Sequence, residues 1–179
     1  MSEQCKEKIF AWLYFKDCLS TKENLLHKHV LDDGICCRCS HPVEDRHHVF
    51  FSCCLSRELW SCIGLSSLAS ADNINNRSPP SSALGNDSAT WPSILLILLC
   101  RLWDARNNTI FRNERHSSAC QIISHICDDL AIWEGRFVSV STIPSSRQWR
   151  AFLRSCMETT MIYYLRYVGE RLRVQIKLY

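Results

Sequence analysis

The chain has 179 residues, a mass of 20.8 kDa and a net charge of only +3, with 46% hydrophobic and 22% charged residues. These values exclude a wholly disordered chain, and the five glycines and five prolines exclude a collagen-like or proline-rich one. Twelve cysteines are the one excess, and so small a charge does not by itself indicate a polyanion partner.

In chain order, Ile9, Phe10, Trp12, Leu13 and Cys18 predict an apolar face on a first helix ending near Leu19. Ser20 or Thr21 is placed to cap a short second helix with Leu25, Leu26 and Val30 facing inward. Asp32-Asp33 beside Gly34 reads as a turn. A cysteine- and histidine-rich stretch follows, and then Leu55, Leu59, Trp60 and Ile63 fit another short helix. Residues 66–90 carry Ser, Asn, Pro and Gly with few apolar anchors, the composition of a flexible linker. Trp91 to Phe111 fits a long helix opened by Pro92. Ala119, Ile122, Ile123, Ile126, Leu130, Trp133 and Phe137 keep steps of three and four over nearly five turns. Trp149, Phe152, Leu153, Cys156, Thr160, Tyr163 and Tyr167 predict a third long helix, and the alternation of Val174, Ile176 and Leu178 predicts a terminal strand.

The expected fold is therefore mainly α. A small zinc-knuckle module between short helices (residues 3–65) precedes a linker (66–90) and a C-terminal helical bundle (91–179). The polar start MSEQCKEK lacks a secretory core, and the longest apolar run, Ile94–Cys100, is too short to cross a membrane. The expectation is an intracellular setting, nuclear or cytoplasmic, in which clustered thiols read as metal ligands and scattered ones as core filler.

The cluster supplies the specific chemistry. Cys36, Cys39, His48 and Cys53 form C-x2-C-x8-H-x4-C, a set of ligands suited to one tetrahedral structural Zn2+ with no position left for water. Cys37, His41, His47 and Cys54 lie beside them; choosing His47 would lengthen the second spacing, and the bland alternative is a cysteine-rich loop without metal. Between Gly34 and Cys62 three arginines meet three acids. From residue 145 to 179 seven basic residues face two acids among aromatic residues, so nucleic-acid contact is expected at Arg147, Arg150 and Arg154. A solvated basic helix face is the alternative.

FAWLYFKDCLSTKENLLHKHV, the C-x2-C turn, VEDRHHVFFSC and SRELW together resemble the zinc-binding domain of plant non-LTR (LINE-type) retrotransposon reverse transcriptases. The resemblance is clear over residues 8–62 and looser to residue 137, through the ILLCRLWDARNNTIFRNE stretch. Two local departures stand out: Ser40 replaces a usual glycine after the second cysteine, and Cys54 a usual proline after the last ligand. The resemblance implies a C-terminal polymerase fragment associated with RNA or DNA, or a scaffold that docks on a protein partner. A decayed reading frame without selected activity is the third reading. No polymerase motif, endonuclease constellation, G-x-S-x-G elbow or phosphate loop is recognised, and Asp128-Asp129 is expected on a solvated helix face. The chain is thus expected to be no enzyme, with no small-molecule substrate and no membrane association.

Overall fold

The structure is a computed structural model, and it describes residues 3–67, 91–112, 117–134 and 143–176, with side chains left out at 3–5, 133, 143–145 and 163–176. The expected linker from residue 68 onward, Phe137 and Leu178 lie outside the described residues. Six α-helices are described: α1 (Glu3–Phe15), α2 (Lys22–His27), α3 (Cys54–Cys62), α4 (Trp91–Phe111), α5 (Ala119–Glu134) and α6 (Ile143–Ile176). One π-helical turn, His48–Ser52, precedes α3, and no strand occurs among the described residues.

The first three helices close in the same way. At the end of α1 Cys18 N–H donates to Leu13 O (2.9 Å) and Asp17 N–H to Tyr14 O (3.3 Å), with Asp17 at φ 54°. Val30 and His29 repeat this on Leu25 and Leu26, and Leu65 and Gly64 on Trp60 and Ser61. These are Schellman closures, which require a left-handed residue; only Gly64 (φ 70°) enters that region without a steric cost. The closure at Asp17 ends α1 short of the expected Leu19. Thr21 caps α2, its Oγ1 accepting Asn24 N–H at 3.2 Å. Ser118 and Gln121 form a reciprocal box at the start of α5, with Ser118 N–H on Gln121 Oε1 and Gln121 N–H on Ser118 Oγ.

The central helix is α4. It buries residues around most of its circumference, including Trp91, Ile94, Leu98, Leu102 and Arg106, as expected of a helix apolar on nearly every side. It packs against α1, the π-turn and α5, while α5 also packs on α3 and α6. One hydrophobic cluster runs from Phe10 and Tyr14 through Phe50, Trp60 and Leu98 to Ile126, Trp149 and Leu153. The cysteine-rich segment and the C-terminal helices therefore share a core.

Several sequence expectations are corrected. Ile9 and Trp12 face solvent, while Phe10 and Tyr14 supply the buried side of α1. Leu26 and Val30 are exposed, because α2 is a short helix held through its ends. Asp128 is exposed as expected, but Asp129 is buried and takes both nitrogens of a forked Arg101 contact. Val174 and Ile176 belong to α6, since three alternating residues do not interrupt a helix that is already propagating.

Candidate metal centre

The four expected ligands converge. Cys36 Sγ lies 4.0 Å from Cys53 Sγ, Cys53 Sγ 3.9 Å from Cys39 Sγ, and Cys39 Sγ 3.2 Å from His48 Nε2. All four donor atoms fall within 4.8 Å of one another. Zinc–sulfur bonds near 2.3 Å in a tetrahedron place sulfurs about 3.8 Å apart, so the set has the right size as well as the right chemistry. The neighbours point elsewhere: Cys54 Sγ is exposed and donates to Arg38 O (3.7 Å), and the His47 ring lies on Phe51.

Local backbone chemistry builds this arrangement. The Cys36–Cys39 knuckle is closed by Ser40 N–H donating to Cys36 O (2.9 Å) and Cys36 N–H to His41 O (2.8 Å). Ser40 sits at φ 57°, which accounts for the glycine usual at this place in the resembled family. On the other side, Asp45 Oδ1 accepts His48 N–H (2.5 Å) and starts the helical turn. That turn is wide, with Cys53 N–H donating to His48 O at 2.8 Å, and it brings His48 and Cys53 to one side. Cys53 then serves as the residue before α3, and Cys54 takes its first position, where proline is tolerated because the N–H needs no helical partner.

Outer contacts hold the ligands. With Nε2 facing the metal, His48 Nδ1–H donates to Ser52 Oγ at 3.3 Å, and the His41 ring stacks on His48 at 4.5 Å. Within the Cys36–Cys53 pair it is Cys36 that ionises first: the contact with Cys53 holds the Cys36 thiol far below its ordinary value, at about 3. The same contact, with burial, pushes Cys53 up, against the opposing charge of Arg38. Zinc, when bound, would take the place of the proton held between these two thiols. Three thiolates and Zn2+ carry a net charge of −1, and Arg38, whose Nη2 donates to Val49 O, brings a guanidinium with Nε and Nη1 buried beside them. The donor set therefore fits one structural zinc, held by Cys36, Cys39, His48 and Cys53; when bound, the ion supplies a cross-link with no open coordination position.

The remaining thiols behave differently. Burial pushes Cys100 up to about 12, and burial raises Cys120, Cys127 and Cys156 as well, so these are protonated thiols of low reactivity. Cys18 departs from the core-filler expectation and is exposed.

The second expected site is less open than its charge suggests. Glu134 Oε2 lies 3.5 Å from Arg147 Nε, and Glu134 Oε1 lies 3.4 Å from Arg150 Nη1. Arg154 is exposed one turn further along α6.

No role is assigned from sequence to two residues central to the architecture. Glu44 Oε1 accepts Arg106 Nη2 at 2.6 Å and Nε at 3.0 Å, and both side chains are fully buried. This pair ties the loop before the π-turn to α4 across 62 positions of sequence.

No helix among the described residues is long and apolar enough to cross a membrane. No curated protein and no solved structure matches the chain. A family model described as zinc-binding in reverse transcriptase matches residues 2–60, the segment that contributes all four ligands, so this N-terminal third carries a zinc-binding domain similar to that of reverse transcriptases.

Proposed function

We propose that the chain is a non-catalytic, intracellular zinc-binding module associated with nucleic acid, descended from the C-terminal part of a plant non-LTR (LINE-type) reverse transcriptase. The observation that carries this reading is the closed Cys36, Cys39, His48 and Cys53 set, inside the segment matched by the reverse-transcriptase family model. A metal with four protein ligands offers no site for activated water, so its contribution is structural. The polymerase chemistry of the resembled elements would belong to other segments, and this chain would contribute a binding or docking unit.

The test uses the zinc-loaded full chain. Elemental analysis is expected to give one zinc per chain, and binding of single-stranded RNA and DNA is expected to weaken as salt rises. Absence of stoichiometric zinc would overturn the metal assignment. A second reading, a scaffold for a protein partner, gains support from Glu134, which partly neutralises Arg147 and Arg150. A zinc-loaded chain that binds no oligonucleotide at low salt selects that reading.

A further inference from the structure

Helix α1 is apolar on two sides, and the core accounts for one of them. Glu7, Phe10 and Tyr14 are buried, yet Trp12 is 60% exposed, Phe15 66% and Ile9 44%. At 100° per residue, Phe15, Lys8, Trp12, Lys16 and Ile9 share an arc of roughly 120°. Trp12 lies at its centre, and both lysines are exposed. Of the acidic side chains described on this segment, Glu7 faces the core and Asp17 pairs with Arg46 at 3.4 Å.

We infer that this outer face of α1 is a stacking platform for single-stranded nucleic acid, with Trp12 and Phe15 holding bases and Lys8 and Lys16 meeting phosphates. The inference rests on the nucleic-acid reading above and moves the contact away from Arg147, Arg150 and Arg154. Two features favour a polynucleotide over a protein. Residues three apart on a helix set Trp12 and Phe15 about 5–6 Å apart at Cβ, a separation that successive unstacked bases of a flexible strand can match. The three apolar side chains expose roughly 300–400 Å² at these fractions, below the roughly 450 Å² of apolar area that each partner of a standard stable protein interface contributes. Flat rings flanked by exposed lysines are the elements of sequence-tolerant single-strand binding.

The experiment measures anisotropy of a labelled mixed-sequence oligonucleotide of about 12 bases, as RNA and as DNA, with the zinc-loaded full chain over a salt series. Trp12→Ala is expected to weaken binding about 5- to 150-fold at every salt concentration, the loss of one stacked base, and Trp12→Phe to restore much of it. Lys8→Gln with Lys16→Gln is expected to flatten the log–log salt slope by about 1.4, two phosphate contacts on a single strand. All of these side chains are exposed, so helix content and zinc stoichiometry should match the parent and show that the fold is retained. Binding unchanged in the α1 variants but lost in Arg147→Gln/Arg150→Gln/Arg154→Gln overturns this inference and leaves the nucleic-acid reading in place. No oligonucleotide binding by the parent chain overturns both. If the parent instead sediments as a dimer that Trp12→Ala dissociates, the face is a protein contact and the inference is overturned.

Discussion

Replacing Arg106 by methionine isolates a fully buried ion pair of the core. The guanidinium is fully buried, donates twice to Glu44 Oε1 and once to Asn107 Oδ1 (2.8 Å), and lies 4.8 Å from the Trp103 ring centroid. Methionine keeps much of the volume and removes the charge. Glu44 would then stay buried with Oε1 accepting only Lys22 N–H (3.2 Å), while its Oε2 already lacks a hydrogen-bond partner among the described residues. Removing one member of a buried pair costs about 3–5 kcal/mol, against a total of about 5–15 kcal/mol for a typical domain. Urea unfolding of the zinc-loaded chain, followed by tryptophan fluorescence and far-UV circular dichroism, should report this loss with an unchanged m-value. The double variant Glu44→Gln/Arg106→Met leaves no unpaired charge at this position and keeps an acceptor for Lys22 N–H, so it should lose less than the two single variants together. A loss below about 1 kcal/mol for Arg106→Met, or strict additivity in the cycle, would refute the assignment of this pair as the tie between the zinc-binding segment and α4.

Three further outcomes follow from the metal centre. Cys39→Ser should abolish stoichiometric zinc and unfold the chain in one transition, since metal binding contributes about 10–16 kcal/mol in small zinc modules; a residual folded α5, seen by hydrogen exchange, would show that the shared core is separable. Ser40→Gly should raise the urea midpoint, by about 1 kcal/mol of stability, because it relieves a left-handed residue at φ 57° without touching a ligand; an unchanged or lowered midpoint would count against that strain. Arg38→Met should speed zinc transfer to a chelator while leaving helix content intact, as the anionic centre loses its buried cation; an unaltered release rate would mean that Arg38 acts only through Val49.

The ligands were legible because metal spacing is local: a C-x2-C turn and an H-x4-C step both complete within a few residues. The long helices were legible for a related reason, since α4 matches the expected Trp91–Phe111 and the stripe from Ala119 to Leu130 is buried as its spacing implies. Periodicity failed where both sides of a helix were apolar. On α1 it grouped Ile9 and Trp12 with Phe10 and Leu13, although the core takes the side of Phe10, Leu13 and Tyr14 and leaves Ile9 and Trp12 exposed. Long-range charge pairing left no signal at all. Arg106 belongs to the ARNNTIF stretch that carries part of the family resemblance, but nothing local marks Glu44, 62 positions away, as its partner.

The π-turn connects metal to core, and it explains why the zinc-binding segment and the helices should unfold together. His48 leaves one side of the turn for the metal, while Val49, Phe50 and Phe51 are buried on the other. The Phe50 ring packs edge-on against Phe10 and Tyr14 (5.9 and 5.3 Å) and reaches Trp103 of α4 at 6.2 Å. Trp60 Nε1–H donates to Phe50 O at 2.8 Å, and Ser56 Oγ–H to Val49 O at 2.5 Å, so α3 grips the same turn. A π-turn has poorer intrinsic geometry than an α-turn and persists only where its surroundings impose it. Coordination of His48 and Cys53 would fix its two ends, and release of the metal would free the turn and with it the aim of Phe50 into the core shared by α1, α3 and α4.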